Sequence, residues 1–474
     1  MTGQVTLPFW LAIVLLLLAG WAALERLLIP SVRWFLRRRV NRFVEEIGKR
    51  LHLEIHPFAL TKRQVLIDRL MYDPRILEAA GARARDKAMP RDVVMAEVER
   101  YAREIVPSFN AYAYFRFGYW LARKTARLLY RVRVGIADEA GLSRVDPKSS
   151  VVFVMNHRSN MDYILVAYLA ATRTALSYAV GEWARIWPLQ TLIRSMGAYF
   201  IRRGSGNQLY RLVLERYVHM ATQGGVVQAI YPEGGLTRDG SLLPPKLGLL
   251  DYMVRSFDPR GERDLVFIPV GINYDRTLED RSLLAELSPE ARRRSLVHVV
   301  RTSLAFIFRN LYQMARGQWY RFGYACVNFG SPVSLGGYCV NEGIDFRSME
   351  KDERFARVES LAVRLMSEVG KVVPVLPVSL VATVFLKRRE YGLSELELKA
   401  ESFRLIEALR SSGAHLYVPR KDQDYAIEVG LRMLTLRRLV EEKEGLFVAR
   451  PEEFPLLLYY ANAIRHLLPP DTTS

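Results

Sequence analysis

The alternation of short apolar runs with helical patterns between residues 151 and 273 constrains the fold more than any other feature of this sequence. The apolar runs are short and rich in β-branched and aromatic residues, as buried strands are. The predicted strands cover Val151–Met155, Ala175–Val180, Ala198–Ile201, Val226–Tyr231 and Leu265–Asn273. The predicted helices between them cover Asn160–Ala171, Trp187–Met196, Gln208–Thr222 and Leu247–Ser256. This order predicts an α/β fold with a central, mostly parallel sheet flanked by helices.

The parts of the chain on either side of this alternation have helical patterns. Apolar residues recur at three- and four-residue spacings from Val32 to about Arg133, and the chain beyond about residue 340 is mostly helical and strongly charged. Leu283–Ala315 also has a helical pattern, and Tyr324–Leu335 is predicted to be a closing strand. We therefore expect four parts: an N-terminal segment over residues 1–30, a helical region over 31–145, an α/β domain over 146–340, and a mostly helical C-terminal domain over 341–474.

The N-terminal segment predicts a membrane anchor. The 18 residues from Leu7 to Leu24 carry no charge, and at about 1.5 Å per residue they extend roughly 27 Å, close to the thickness of a bilayer core. A cluster of arginines between Arg33 and Arg42 follows, and basic residues beside a span usually stay in the cytoplasm. We expect one span in the cytoplasmic membrane and the remainder of the chain on the cytoplasmic side. Ala111–Tyr130 is predicted to lie at the membrane interface, with an ordinary amphipathic helix as the alternative. A buried core helix is the alternative for the apolar run.

The charge balance indicates an anionic partner. Lys and Arg number 68 against 50 Asp and Glu, which gives a net charge of +18. Phospholipid headgroups, nucleic acid or a phosphorylated small molecule would each suit this surplus. The seven histidines lack metal-ligand spacing, and Cys326 and Cys339 make neither a zinc site nor a disulfide framework. We therefore expect no metal and no bound cofactor.

The candidate catalytic residues follow the first predicted strand. His157 lies in the strand-to-helix turn and Asp162 at or near the first turn of the helix, where a carboxylate can orient an imidazole. No nucleophile with the spacing of a Gly-x-Ser-x-Gly motif accompanies them. A base without a nucleophile suits deprotonation of a substrate hydroxyl. The alternative for His157 alone is a loop histidine with a structural role.

Three further blocks follow later strands. Arg202 and Arg203 end the block that begins at Gly197. Their paired guanidinium groups could bind a phosphate, or they could simply be exposed to solvent at the end of the strand. The third block comprises Glu233, Gly234, Gly235, Thr237 and Arg238, with Lys246 nearby. Paired glycines allow close approach of the backbone to an anion, or they form a turn that caps a helix. The fourth block is Ile268-Pro269-Val270, whose proline predicts a position outside the centre of the sheet.

The four blocks together carry a family resemblance. His-x4-Asp, Gly-x-x-x-Ile-Arg-Arg, Glu-Gly-Gly and Ile-Pro-Val occur here in the order of the glycerolipid acyltransferases. The chain is most similar to bacterial PlsB-type glycerol-3-phosphate acyltransferases, with dihydroxyacetone-phosphate acyltransferases as relatives. The resemblance covers about residues 100–335 and extends weakly to Leu446–Pro451 and Leu458–Ile464.

The resemblance implies a function and roles for these residues. The implied reaction transfers a fatty acyl group from acyl-CoA or acyl carrier protein to the sn-1 hydroxyl of glycerol 3-phosphate, with anionic membrane lipid as a partner and no specific nucleic acid. His157 is then the general base, and Asp162 orients it. The implied substrate-binding residues are Arg202, Arg203, Glu233, Gly234, Gly235, Thr237, Arg238 and Lys246.

The third block departs from the family pattern. The family commonly has Glu-Gly-Gly-Arg-Ser-Arg, whereas this chain has Leu236 and Thr237 in place of the first arginine and the serine. The hydroxyl is kept and one positive charge is lost. An acyltransferase for lysophospholipid or dihydroxyacetone phosphate therefore stays open, as does an inert, membrane-tethered lipid-binding protein.

Overall fold

The computed structural model describes residues 61–110, 114, 118–170, 176–181, 189–202, 204–287, 322–388 and 391–469. The predicted anchor and the arginine cluster after it lie outside these residues, as does nearly all of the predicted helix Leu283–Ala315. Within the described ranges, no helix combines the length and apolar character that crossing a membrane requires.

A central sheet organises the described part of the chain. Its strands are β1 (Arg131–Ala137), β2 (Ser150–Met155), β3 (Ser177–Val180), β4 (Tyr199–Phe200), β5 (Gln228–Ile230), β6 (Leu265–Tyr274), β7 (Tyr324–Phe329) and β8 (Val333–Ser334). The strand order is β1-β7-β6-β2-β5-β3-β4, with β8 pairing with β6. The strands from β6 to β4 are mutually parallel, whereas β7 and β8 run antiparallel to β6. The predicted α/β architecture with a mostly parallel sheet is confirmed.

Helices precede the first strand, alternate with the strands of the sheet and form most of the described chain after it. Those before and within the sheet are α1 (Arg63–Met71), α2 (Pro74–Asp86), α3 (Arg91–Ile105), α4 (Tyr119–Leu129), α5 (Glu139–Ser143), α6 (Met161–Ala170), α7 (Leu189–Ser195), α8 (Gln208–Gln223), α9 (Gly248–Val254) and α10 (Asp280–Ala285). Those after it are α11 (Leu335–Glu342), α12 (Lys351–Lys371), α13 (Pro377–Lys387), α14 (Glu395–Ser411), α15 (Gln423–Leu436) and α16 (Phe454–Asn462). A hairpin of β9 (Val440–Lys443) and β10 (Leu446–Ala449) lies before α16.

The helix α8 shows how the sequence builds the layer beside the site. Asn207 precedes it and accepts a hydrogen bond from the Tyr210 backbone N–H, which satisfies one of the free donors of the first turn. Apolar residues at helical spacing, such as Val213 and Tyr217, are buried against the sheet and α3. This helix therefore forms a fixed wall beside the carboxyl ends of β3 and β5.

Two predictions about strands are wrong. The helical pattern does not extend to Arg133, because Arg131–Ala137 forms the edge strand β1. Pro269 does not exclude β6 from the centre of the sheet, because β6 lies between β2 and β7. The Pro269 carbonyl accepts from the Gly330 N–H at 2.8 Å, so its nitrogen faces the same side. That side is the interruption between β7 and β8, where a missing N–H costs no ladder bond.

The C-terminal region is joined to the sheet by buried polar contacts. The amide nitrogens of Asn273 and Asn328 donate to the carbonyls of Pro374 and Val372, each at 2.9 Å. The helix α13 that follows is buried from Pro377 to Phe385 and packs against α14, α15 and α16. Over its described residues this part consists mostly of helices, together with the β9–β10 hairpin.

Candidate active site

The candidate site lies at the edge of the sheet where β2, β5 and β6 end. His157 follows β2 by two residues, Tyr231 directly follows β5, and Tyr274 is the last residue of β6. Asp162 lies in the first turn of α6. Ligand sites of open α/β sheets form at the carboxyl ends of the parallel strands. The sheet order therefore brings together side chains from distant parts of the sequence.

His157 and Asp162 are in direct contact. Nδ1 of the imidazole lies 2.9 Å from Oδ2 of the carboxylate, and both side chains are buried. An ionised carboxylate only accepts hydrogen bonds, so Nδ1 carries the hydrogen in this arrangement. The Nε2 atom is then the free base of the pair.

Asp162 is held by further hydrogen bonds. Its Oδ2 atom also accepts from the backbone N–H groups of Arg158 and Ser159, at 2.7 and 3.1 Å. The Tyr274 hydroxyl donates to the other oxygen, Oδ1, at 2.6 Å. These contacts fix the carboxylate and stabilise its negative charge. The orientation of the imidazole is consequently set by the strand end and the start of the helix.

Two tyrosines enclose the imidazole. Tyr231 stacks on His157 with ring centroids 4.2 Å apart and an angle of 29° between the planes. Tyr163 meets it edge to face at 5.3 Å. Burial raises the pKa of Tyr231 well above its ordinary value, so this ring stays neutral. The base therefore has apolar faces and one hydrogen-bonded edge.

Glu233 connects the first and third sequence blocks. Its two carboxylate oxygens accept from the backbone N–H groups of His157, at 2.6 Å, and Leu243, at 2.9 Å. Burial raises the pKa of Glu233 to about 7, against the lowering effect of these two bonds. The side chain is buried and does not line the cavity described below. Its contacts position the backbone of the base.

Gly234 allows Lys246 to lie across the third block. Its backbone has a φ of +68°, a conformation that L side chains seldom adopt. A Cβ atom at this position would come within 2.6 Å of Lys246 Cδ. The Lys246 N–H donates to the Pro232 carbonyl at 2.8 Å, which fixes the lysine backbone beside the glycine. Gly235 is half-buried next to Gly234 and does not line the cavity.

A cavity of about 360 Å³ opens beside the imidazole. His157, Tyr163 and Tyr231 form one end of its lining. Its basic lining residues are Arg202, Arg211 and Lys246, and its apolar ones include Ile201, Leu214, Ile230 and Leu249. The cavity thus presents positive charge and apolar surface to the same base.

The predicted phosphate-binding arginines are placed differently from one another. Arg202 lines the cavity, but its guanidinium forms two hydrogen bonds to Glu104, at 2.8 and 2.6 Å, which raise its pKa. Arg238 is exposed, pairs with Glu286 at 3.2 Å and does not line the cavity. Arg203 lies outside the described residues. Much of the positive charge at Arg202 is therefore already compensated by the protein.

Thr237 forms hydrogen bonds with the backbone of neighbouring loops rather than lining the cavity. Its backbone N–H donates to the His157 carbonyl at 3.1 Å, and its hydroxyl accepts from the Gly240 N–H at 3.1 Å. The residue is buried and is not part of the cavity lining. Like Glu233, it joins the third block to the backbone of the base.

Arg211 is a candidate that the sequence patterns missed. It lies in the first turn of α8, is exposed, and lines the cavity with Lys246. Its Nη2 atom donates to the Gly206 carbonyl at 3.3 Å. The signal available in the sequence is its place just after the Arg202 block, in the predicted helix Gln208–Thr222.

Two family models match parts of this chain. The family model described as "Acyltransferase" matches residues 138–273. The model described as "Glycerol-3-phosphate acyltransferase C-terminal region" matches residues 308–471. These matches confirm the resemblance that the four blocks indicate.

Curated relatives are named glycerol-3-phosphate acyltransferase. The relative from Xylella fastidiosa strain M23 is 27% identical over 373 residues, which is 77% of this chain and 42% of the relative. The one from Pseudomonas syringae pv. syringae is 26% identical over 86% of this chain and 49% of the relative. The one from Xanthomonas axonopodis pv. citri is 27% identical over 91% and 48%. The chain spans about half the length of these relatives or less.

A solved structure is also similar. It is the 1-acyl-sn-glycerophosphate (LPA) acyltransferase PlsC from Thermotoga maritima, at 16% identity over 65% of this chain and 96% of that one. The TM-score is 0.30, too low to support an argument, so the fold assignment rests on the sheet topology above.

Proposed function

We propose that this chain transfers a fatty acyl group from a thioester, acyl-CoA or acyl carrier protein, to the sn-1 hydroxyl of glycerol 3-phosphate. The observation that carries the proposal is the His157–Asp162 pair facing a cavity with basic and apolar lining. The names of the curated relatives support the same reaction. The product would be lysophosphatidate, an intermediate of phospholipid synthesis.

The chemical step follows from the free Nε2 atom of His157. This nitrogen takes the proton of the acceptor hydroxyl as the oxygen attacks the thioester carbonyl. The new C–O bond gives a tetrahedral intermediate, which collapses with cleavage of the C–S bond. The imidazolium returns its proton to the leaving thiolate. Asp162 stabilises the imidazolium while it exists, because its carboxylate lies 2.9 Å from Nδ1.

Recognition of the acceptor would rest on the cationic side chains of the cavity. Lys246 and Arg211 both reach the cavity that His157 lines, and both are exposed. A phosphate dianion suits such a pair, since hydrogen bonds between charged groups are stronger than neutral ones. The apolar lining, including Leu214 and Leu249, would contact the donor's acyl group.

The membrane part of the proposal rests on the sequence. The acyl donor and the product are amphipathic, and the basic surplus of the chain favours an anionic lipid surface. We place the enzyme on the cytoplasmic face of the cytoplasmic membrane, anchored by the apolar run Leu7–Leu24.

A second acceptor class is favoured by one specific observation. Leu236 stands where the family commonly has an arginine, so the third block carries one positive charge fewer than the family pattern. Dihydroxyacetone phosphate or a lysophospholipid is therefore the alternative acceptor. An inert lipid-binding protein is the alternative of another class, and its fold would need no oriented His157–Asp162 pair.

The test is an acceptor comparison with the detergent-solubilised protein. Two labelled donors, acyl-CoA and the acyl thioester of acyl carrier protein, are each offered with glycerol 3-phosphate, dihydroxyacetone phosphate or lysophosphatidate. Wild type and His157→Ala are compared. We expect product from glycerol 3-phosphate and its loss in the variant. Product from only one of the other acceptors would assign that acceptor as the substrate in place of glycerol 3-phosphate. Absence of product with every donor and acceptor, in a folded protein that still binds lipid, would overturn the enzymatic assignment.

A further inference from the structure

A second cavity lies between the edge strand β1 and the C-terminal region. Its volume is about 310 Å³, and we call it the β1 cleft. Ile136 and Asn328 line it from the sheet side, and Arg410, His415, Leu416, Tyr417 and Lys421 are among the residues that line it from the C-terminal region. The cleft shares no lining residue with the cavity at His157. Strands β7 and β6 lie between β1 and β2, so β1 and β2 are about 14 Å apart across the sheet and the two cavities are separate.

Basic side chains dominate the charge of the β1 cleft. Arg410, His415 and Lys421 line it, and its described lining includes no aspartate or glutamate. Arg410 contacts Glu407 at 2.9 Å, but both side chains are exposed. Exposed pairs of this kind contribute little. The side-chain oxygen of Gln423, in the amide orientation that satisfies its hydrogen bonds, also accepts from the two Nη atoms of Arg410 at 2.8 and 3.1 Å. A ligand would therefore compete with one neutral and one exposed charged partner for this guanidinium.

The neutral polar groups of the cleft are already engaged with the protein. Asn328 accepts from the Ile136 N–H at 2.9 Å and donates to the Val372 carbonyl at 2.9 Å. The Tyr417 hydroxyl accepts from Arg133 Nε at 3.0 Å, which brings a further arginine to the side of the cleft. A ligand would therefore meet mainly the cationic groups, which favour an anion.

The loop that carries Lys421 is held in an unusual conformation. Arg420 and Lys421 are consecutive residues with φ of +59°, and neither is glycine. Backbone hydrogen bonds of Val375 to His415, at 2.9 Å, and to Tyr417, at 3.0 Å, anchor the preceding segment. Backbone strain of this kind persists where the surrounding structure imposes it and often accompanies a binding function.

We propose that the β1 cleft binds a phosphate monoester. A dianion of this size fits the cavity volume and the cationic lining. The phosphate could belong to a free small metabolite or to the headgroup of a lysophosphatidate-like lipid. The apolar residues Ile136 and Leu416 in the lining, with the exposed Val134 beside them, would suit a lipid tail.

Binding of labelled inorganic phosphate to the full chain in detergent tests the site by equilibrium dialysis. The background is Arg211→Gln/Lys246→Gln, which weakens phosphate binding at the His157 cavity. Adding Arg410→Gln and Lys421→Gln should weaken the remaining binding at least tenfold. Arg404→Gln is the matched control, because Arg404 lies on the same helix, is exposed, pairs with Glu401 and does not line the cleft. Unchanged affinity after the cleft substitutions, with an unchanged melting temperature, would overturn the proposal.

Competition then identifies the source of the phosphate. Displacement by glycerol 3-phosphate supports a free metabolite, and displacement by lysophosphatidate alone supports a lipid headgroup. Displacement by lysophosphatidylcholine as strongly as by lysophosphatidate would show capture of an apolar tail rather than phosphate recognition, and would overturn the proposal. Failure of both monoesters to compete would do the same. These measurements need no turnover, so they are independent of the proposed reaction.

Discussion

The Tyr274 hydroxyl donates a 2.6 Å hydrogen bond to Oδ1 of Asp162, whose other oxygen holds His157. Tyr274 ends a strand 112 residues later in the chain than Asp162. Tyr274 is therefore a positioning residue for the His157–Asp162 pair. Since the tyrosine stabilises the carboxylate charge, it moderates how strongly Asp162 stabilises a protonated imidazole.

Tyr274→Phe should shift the pH profile of the proposed acyl transfer. Without the donated hydrogen bond, Asp162 stabilises the protonated His157 more strongly, and the acid limb of kcat/KM moves to higher pH. We expect a fall in kcat/KM of about tenfold at neutral pH, which corresponds to ~1.4 kcal/mol. The measurement is kcat/KM from pH 5 to 9.

Tyr130→Phe is the matched control for that substitution. The Tyr130 ring packs against Tyr274 at 5.2 Å, but its hydroxyl donates to the Arg276 carbonyl instead. Its pH profile should match that of wild type. An acid limb that stays in place in Tyr274→Phe, or moves equally in both variants, would refute the positioning role.

Arg211→Gln should weaken binding of the acceptor more than Arg238→Gln does. Arg211 lines the His157 cavity, whereas Arg238 is exposed outside its lining and pairs with Glu286. Loss of one charged phosphate contact should raise the KM for glycerol 3-phosphate about tenfold with little change in kcat. Steady-state kinetics of both variants show whether Arg211, which lines the cavity, or Arg238, which the sequence pattern indicates, binds the acceptor. A larger effect at Arg238, or a change confined to the thioester KM, would contradict this assignment.

The repeated strands and the His157–Asp162 contact were predictable because they depend on local patterns. A strand followed by a turn and a helix brings a histidine and an aspartate five residues later into contact. The edge strand β1 was missed because its arginines and apolar residues have the same composition as the helix before it, although their alternation is typical of a strand. The partner of Arg202 was also unpredictable, because Glu104 lies 98 residues earlier. Only the packing of α3 beside the end of β4 brings them together.

Stability should fall as the pH rises from about 4 to 7, in part because of Asp275. Burial raises the pKa of this carboxyl to about 7, although hydrogen bonds from the N–H groups of Tyr324 and Val378 oppose the shift. Between about pH 4 and 7 the unfolded state releases the proton of this carboxyl, whereas the folded state keeps it. The free energy of unfolding that the protonated carboxyl contributes below pH 4 therefore falls as the pH rises, and it is lost once the pH has passed 7. Asp275→Asn should have a lower free energy of unfolding than wild type at low pH, and that free energy should change less with pH. Denaturant unfolding across this range measures both effects.

The control for Asp275→Asn is Asp146→Asn. Asp146 is an exposed loop residue that accepts a hydrogen bond from the Lys148 N–H. Its substitution should leave the pH slope of wild type unchanged. An Asp275→Asn slope equal to that of wild type would exclude this carboxyl as a source of the pH dependence.

Gly234→Ala should affect both stability and acceptor binding, and the two effects can be separated. The positive φ of +68° should cost about 1–2 kcal/mol for any L side chain. The new Cβ would also come within 2.6 Å of Lys246 Cδ, so Lys246 must move and the KM for glycerol 3-phosphate should rise. Gly343→Ala has nearly the same φ, +64°, with nothing within 4 Å of the added Cβ. It should lose similar stability and keep the wild-type KM. If the two variants have the same KM, the position of Lys246 does not contribute to acceptor binding.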